Sequence, residues 1–269
     1  MAAPFFQSLQ ARVDAVGSLL CVGLDPHVAE LDEPSASGCE RFCRKLIDAT
    51  EHIAAAYKPN AAFFERFGAE GCAVLEKVCK ELAAKGIPVV LDAKRGDIGS
   101  TAEAYAAAAF DANQAGCVTV SPYLGGDSVA PFLTKPDKAV FALCKTSNPG
   151  SNDLQTVKTE GGQPFYMLVA THCNSWGAAN KNVGLVVGAT DIEALRSIRK
   201  EFPDIWFLSP GIGAQGGSLD EAMEAGMTAQ GSGMLIPISR GISKAADPKA
   251  AAEQFRDAIQ KNMQARKGS

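Results

Sequence analysis

The sequence predicts an α/β protein folded as a (β/α)8 TIM barrel. Three observations carry that expectation: eight short β-rich runs, alanine-rich helical segments between them, and a length of 269 residues, close to the ~250 typical of this barrel. Alternating strand-like and helix-like segments are the signature of repeated βα units on a parallel sheet. Eight is the number at which such a sheet closes. An open doubly wound sheet is the competing architecture. No linker or composition break divides the chain, so residues 1–269 are expected to form a single domain.

The eight runs are Leu19–Asp25, Ala55–Asn60, Pro88–Lys94, Cys117–Pro122, Ala139–Thr146, Val183–Ala189, Trp206–Gly211 and Met234–Ser239. Helical spacing predicts helices over Cys39–Ala54, Phe67–Lys85, Ser100–Ala115, Asp191–Phe202, Ser218–Ala225 and Pro248–Lys261. Gly86 and Gly116 follow two of them, as expected where a chain must leave a helix through a left-handed conformation. Thr146–Pro164 is polar and rich in Gly, Asn and Ser, which predicts a long loop over the barrel mouth.

With 46% hydrophobic residues the chain can bury a full core. A formal charge of −4 gives no support for bulk binding to nucleic acid or an anionic membrane, so an anionic ligand must be held by a few local cations and backbone amides. No segment approaches the roughly 18 apolar residues of a membrane span, and Met1–Gln10 lacks a signal-peptide pattern. A soluble, cytoplasmic protein is the default expectation. The eight cysteines show no Cys-x-x-Cys spacing and are expected to pack as reduced thiols rather than to ligate a metal.

The apolar run Ile87-Pro88-Val89-Val90-Leu91 ends in Asp92-Ala93-Lys94-Arg95-Gly96-Asp97. Side chains alternate along a strand, so Asp92 and Lys94 share a face. At the carboxyl end of a parallel strand that face looks into the site where barrels keep their chemistry. Asp25 ends the first run, and Lys58 and Asn60 end the second. All these strand ends share one rim. Unit charges about 4 Å apart interact by about 4 kcal/mol at an effective dielectric near 20, enough to fix a network of alternating sign. Such a network holds a lysine ammonium where it can protonate a developing carbanion. A purely structural ion-pair network is the rival explanation, but burying several charges for stability alone is usually less favourable than apolar packing.

Two glycine-rich segments follow the last two runs. They are Ser209-Pro210-Gly211-Ile212-Gly213-Ala214-Gln215-Gly216-Gly217-Ser218 and Pro237-Ile238-Ser239-Arg240-Gly241-Ile242. Loops after strands seven and eight form the recurrent phosphate site of this barrel class. Arg240 adds a planar fork of donors, and Gln215 an amide on a glycine-flanked loop. A phosphorylated ligand is the expectation. The spacing is not a dinucleotide fingerprint, because Gly216 opens no βαβ unit. His27, His52 and His172 sit in no nucleophile motif or ligand spacing and are expected to be structural. Ser147 and Ser209 lack a Gly-x-Ser-x-Gly context, which disfavours a serine hydrolase.

The segment Asp92–Thr101, with Cys21-Val22-Gly23-Leu24-Asp25-Pro26 before it, closely resembles the orotidine 5′-phosphate decarboxylase family, in its longer sequence group. The resemblance extends to Tyr57-Lys58-Pro59-Asn60, Cys144-Lys145-Thr146-Ser147-Asn148-Pro149, Gly184–Thr190 and both glycine-rich loops. It implies a homodimeric barrel that converts orotidine 5′-phosphate to uridine 5′-phosphate and carbon dioxide in de novo pyrimidine biosynthesis, with no cofactor and no metal. It assigns Lys58, Asp92 and Lys94 to a charged array, with Lys94 protonating C6, and has Asp97 reach the other subunit's site beside Ile98 and Thr101. Asp25 and Asn60 would hold ribose or array partners, and Thr146 and Ser147 the pyrimidine edge. Pro210, Gln215 and Arg240 would form the lid and phosphate grip. Ser239 departs from the pattern, since many members carry glycine before the arginine.

One alternative within the superfamily is a magnesium-dependent sugar-phosphate decarboxylase or aldolase. Lys58 argues against it, because a lysine would repel a divalent cation where those relatives tend to carry an acid. A non-catalytic phosphate-binding barrel, or half of a fusion with orotate phosphoribosyltransferase, are further readings. Every matching catalytic position is present, which disfavours a decayed site.

Overall fold

In a computed structural model the chain is described over residues 3–213 and 216–268. Eight parallel strands alternate with helices. They are β1 (Leu20–Leu24), β2 (Ala56–Pro59), β3 (Val90–Arg95), β4 (Cys117–Val120), β5 (Ala139–Lys145), β6 (Val183–Val187), β7 (Phe207–Leu208) and β8 (Met234–Ile238). The hydrogen-bonded order runs β2-β1-β8-β7-β6-β5-β4-β3. Two isolated parallel bridges, Tyr57 with Val89 and Asn60 with Asp92, join β2 to β3 and complete the circuit. The predicted barrel is therefore the observed one, and each predicted run coincides with one strand, β3 alone continuing one residue past its run to Arg95. β1, β2, β4, β6 and β8 are buried throughout, as expected of strands covered by helices outside and side chains within.

The helices are α1 (Phe5–Val16), α2 (Ala36–Thr50), α3 (Ala61–Glu65), α4 (Gly68–Ala84), α5 (Gly99–Ala107) and α6 (Gly126–Val129). After β5 come α7 (Phe165–Trp176), α8 (Ile192–Glu201), α9 (Leu219–Gly226), α10 (Arg240–Ser243) and α11 (Pro248–Lys267). Five of the N-termini lie where the sequence supplies a cap: the side chains of Ser35, Asn60, Asp191, Ser218 and Asp247 accept from the first turns of α2, α3, α8, α9 and α11. The helix expected over Ser100–Ala115 passes into a wider turn at Ala108–Ala112.

Two full helices were not foreseen. In α1, Phe5, Phe6, Leu9 and Val13 recur at three- and four-residue spacing and are buried. Phe6 stacks on Trp206 at 5.7 Å and meets Phe141 edge-on at 5.5 Å, so this helix packs beneath the strands. In α7 the sequence Phe-Tyr-Met-Leu-Val-Ala is apolar on nearly every side and shows little helical period. The expected loop before it does cross residues 146–164, with a short 3-10 turn at Pro149–Asp153.

Tyr57 fixes which way β2 faces. Its hydroxyl lies 2.7 Å from Thr50 Oγ1 and donates to Ile47 O on α2, so Tyr57 points outward. Alternation then turns Lys58 into the barrel.

Candidate active site

Inside the carboxyl-terminal rim lies a cavity of about 690 Å³, within the roughly 300–1,000 Å³ of small-molecule sites. Its floor carries the charged array. Lys58 Nζ donates to Asp92 Oδ2 at 2.9 Å and Lys94 Nζ to Asp92 Oδ1 at 2.6 Å. Thr119, on β4, organises the same carboxylate: its hydroxyl donates to Asp92 Oδ1 at 3.0 Å while accepting from the backbone N–H of Ala93 at 3.0 Å and Lys94 at 2.9 Å.

The β3–β4 register shifts between Leu91 and Arg95. Within that bulge Lys94 adopts φ +47°, a left-handed conformation that an unbranched non-glycine residue enters at a cost of order 1 kcal/mol. Regular alternation is thus only part of why Lys94 meets Asp92. The bulge re-aims the side chain, as bulges beside active sites commonly do, and Thr119 holds the two amides that define it.

The electrostatics follow from burial. Side-chain exposure is 10% for Lys58 and 9% for Asp92 but 51% for Lys94, which projects into the cavity. Burial by itself would lower the Lys58 pKa, yet Asp25 and Asp92 outweigh it and hold the ammonium above its ordinary value. Burial would raise the Asp92 pKa, but Lys58 and Lys94 overcome it and keep the carboxyl well below the usual carboxylate range. Beside them, desolvation pushes the Cys21 thiol up to about 12, so it remains an un-ionised apolar packing group.

Asp25, Asn60, Thr146, Ser147, Pro210 and Arg240 also line the cavity. Asp25 Oδ1 is buried with no hydrogen-bond partner among the described residues. A buried acceptor left unpaired calls for a donor from a ligand. Arg240 is exposed at the start of α10 and has no carboxylate within ion-pair distance among the described residues. Gly211, Gly213 and Gly216 take φ values of +112°, +70° and +84° in the facing loop. Gln215 lies outside the described residues.

Three expected site residues stand apart. Asp97, Ile98 and Thr101 do not line the cavity; Asp97 Oδ1 accepts from the Ile98 N–H at 2.8 Å, and Ile98 is 56% exposed. Residues not anticipated for the wall include Thr119, His27, Phe63, Asn148 and Gln155. A polar residue inside the buried run Cys117-Val118-Thr119-Val120 was the available signal for Thr119. His27 was expected to be structural; it does line the cavity, edge-on to Phe63 at 4.4 Å. His172 stacks on Trp176 within α7, and His52 lies 3.5 Å from Glu253, both away from this wall. The cysteines are unpaired and seven of the eight are buried. No helix is long and apolar enough to cross a membrane among the described residues.

The lysine–aspartate–lysine array thus lies on the floor of the barrel's cavity. The family model "Orotidine 5′-phosphate decarboxylase / HUMPS family" matches residues 18–255. The chain belongs to that family. It is 45% identical over 271 residues to orotidine 5′-phosphate decarboxylase of Roseiflexus castenholzii, covering 97% of this chain and 99% of the relative. A crystal structure of a putative orotidine-monophosphate decarboxylase from Toxoplasma gondii superposes with a TM-score of 0.94 at 46% identity, covering 99% of each chain. The Leishmania donovani UMP synthase structure matches with a TM-score of 0.91 at 53% identity, covering 97% of this chain and 57% of that one. The chain is thus an enzyme of the orotidine 5′-phosphate decarboxylase type.

Proposed function

We propose that the cavity binds orotidine 5′-phosphate and that Lys94 delivers the proton that replaces its carboxylate. The observation that carries this reading is the Lys58–Asp92–Lys94 array, with the more exposed of its two ammoniums, that of Lys94, aimed into the cavity. In the reaction the C6–carboxylate bond breaks, carbon dioxide departs, and the electron pair left on C6 takes a proton from the Lys94 ammonium, giving uridine 5′-phosphate. The neutral amine then recovers a proton from water.

No adjacent electron sink receives the C6 pair, so fixed positive charge must stabilise it. Lys94 supplies that charge at short range and Lys58 from behind. Asp92 orients both ammoniums, and its own negative charge lies where a substrate carboxylate would be repelled and carbon dioxide would not. Asp25 and Asn60 are assigned to the ribose hydroxyls, the unpaired Asp25 Oδ1 being the acceptor such a hydroxyl needs. Thr146 and Ser147 meet the pyrimidine edge, and Pro210, Gln215 and Arg240 the phosphate. Binding energy gained at the phosphate closes the loop over the base and lowers the chemical barrier there.

Asp97, Ile98 and Thr101 are assigned to the neighbouring site of a homodimer. Their place outside this chain's own cavity, with Ile98 uncovered, supports that assignment. Lys58 stands where a divalent cation would need an oxygen ligand, so activity is expected to survive a chelator. A spectrophotometric assay with orotidine 5′-phosphate and a chelating agent tests the whole reading. Loss of the substrate chromophore at an undiminished rate is expected; no turnover, or turnover restored only by magnesium, would overturn it.

A further inference from the structure

The charged array absorbs Lys58 and Lys94 but leaves a further lysine, buried like Lys58, unexplained. Lys145 closes β5 with only 3% of its surface exposed, and it does not line the cavity. Its ammonium donates to Ser151 Oγ at 2.7 Å and to the carbonyl of Thr146 at 3.4 Å, and lies 3.3 Å from Asp191 Oδ2. Asp191 has a second task, since its Oδ1 caps α8 by accepting from Ala194 N–H at 3.0 Å. The ammonium therefore ties a helix start after β6 to the loop after β5.

That loop is the cavity wall. Thr146, Ser147, Asn148 and Gln155 line the cavity directly in front of Lys145. Ser151 N–H donates to Asn148 O at 3.0 Å, and Gln155 N–H to Ser151 O at 2.9 Å, so the residue that Lys145 grips is hydrogen-bonded to both flanks of the wall. Gln155 in turn accepts from Thr146 N–H at 2.7 Å and donates to Thr146 Oγ1 at 2.9 Å, while Thr146 Oγ1 donates to Asn148 Oδ1 at 2.7 Å. Gly188 packs against this strip so closely that a Cβ there would fall 2.9–3.0 Å from Ser147. Burying an ammonium in this way is a poor route to stability, because well-packed apolar side chains of similar volume usually do as well or better. What a buried, fully engaged charge provides is a fixed arrangement of the groups around it.

We infer that Lys145 is a positioning residue for base recognition: it holds the Thr146–Gln155 wall in the one geometry that reads the pyrimidine edge, without touching the nucleotide. This inference rests on the proposed assignment of Thr146 and Ser147 to the base. It makes a selective claim, because phosphate and ribose are met by other loops. A defect in Lys145 is expected to weaken recognition of the base and to spare recognition of the sugar phosphate.

The test is calorimetric titration of Lys145→Met and Lys145→Arg proteins with uridine 5′-phosphate, cytidine 5′-phosphate and ribose 5-phosphate. Lys145→Met is expected to weaken uridine 5′-phosphate binding by about ten- to a hundredfold, the range set by losing hydrogen bonds to a charged group. Its preference for uridine over cytidine is expected to shrink, with ribose 5-phosphate affinity held within about twofold. Lys145→Arg, which keeps the charge, is expected to recover part of the loss. An equal loss on all three probes would mark Lys145 as merely structural, and unchanged base affinity would remove its role altogether; either result overturns the inference. If Lys145→Met does not fold, Ser151→Ala and Asp191→Asn carry the same test, the latter retaining an oxygen for the α8 cap, and wild-type base selectivity in both would overturn it. A wild-type protein that binds ribose 5-phosphate and uridine 5′-phosphate equally would instead sink the reading of the wall as a base reader, and this inference with it.

Discussion

Lys94 turns back on Asp92 across a single intervening residue, bringing Nζ to 2.6 Å from Oδ1 with its own backbone at φ +47°. The ammonium is thereby aimed by a distorted strand end, and the cost of that distortion is offset by the Thr119 hydroxyl, which collects both local amides. Removing the ammonium tests its role most directly. Lys94→Ala is expected to lower kcat by at least about 10²–10⁴, the usual contribution of a general acid, while uridine 5′-phosphate binding remains measurable by calorimetry. Near-normal turnover would rule Lys94 out as the donor.

Thr119→Val keeps the volume and removes the hydroxyl that satisfies Asp92, Ala93 N–H and Lys94 N–H. A kcat loss of about 10- to 100-fold with a smaller change in KM is expected, because the bulge that aims Lys94 loses its anchor. Steady-state kinetics give the split. An increase in KM alone would place Thr119 in substrate binding instead.

The array also sets a pH window for stability. Asp92 has a depressed pKa, so its contribution is complete above the ordinary aspartate value, about 4, and is lost as pH falls below it. Lys58 has a raised pKa, so its contribution is complete below the ordinary lysine value, about 10.4, and is lost as pH climbs through the raised one. Asp92→Asn leaves Lys58 buried beside Asp25 alone and is expected to cost about 3 kcal/mol at neutral pH. Thermal melts from pH 2 to 7 should show the variant with a lower plateau and a shallower acid decline; parallel curves would count against the linkage.

Asp97 gives a prediction that a monomer could not satisfy. Lys94→Ala and Asp97→Ala proteins are each expected to be inactive, and mixing them is expected to restore activity through the one intact site of a mixed dimer. No recovery, with subunit exchange demonstrated independently, would return Asp97 to its own subunit.

Gly23 and Ser239 face each other across β1 and the end of β8, and a Cβ on Gly23 would lie 2.7 Å from Ser239 Cβ. Gly23→Ala is therefore expected to lose about 1–3 kcal/mol through overpacking. Ser239→Gly, which removes the opposing side chain, is expected to restore most of it. A double variant no more stable than Gly23→Ala would disprove the contact as the cause.

The barrel was legible in the sequence because its strands are short, apolar and regularly spaced, and the array because three charged side chains cannot end buried strands by accident. What escaped did so for physical reasons. The α7 segment is apolar on too many sides to show a helical period, since one side meets the barrel and another carries the partly buried Met167, Val169 and Trp176. Lys145 stands inside the Cys144–Pro149 motif, yet the role proposed for it depends on Ser151 and Asp191, six and 46 residues away, which only folding brings together. The Lys94 bulge was hidden because alternation alone already paired it with Asp92. Asp97 stays outside its own cavity, and no spacing along one chain can reveal a subunit boundary.

Seven of the eight junctions between strands are hydrogen-bonded ladders, whereas β2 meets β3 through the Tyr57–Val89 and Asn60–Asp92 bridges alone. Across that thin join the Lys58–Asp92 ion pair acts as a rivet. Asp92, one half of that rivet, also accepts from the Lys94 ammonium, so any breathing of this seam is expected to slacken the proposed proton donor at once. On gentle heating, turnover should fade before the far side of the barrel loosens, and a ligand that presses Asn60 toward Asp92 should keep both the wall and the chemistry intact.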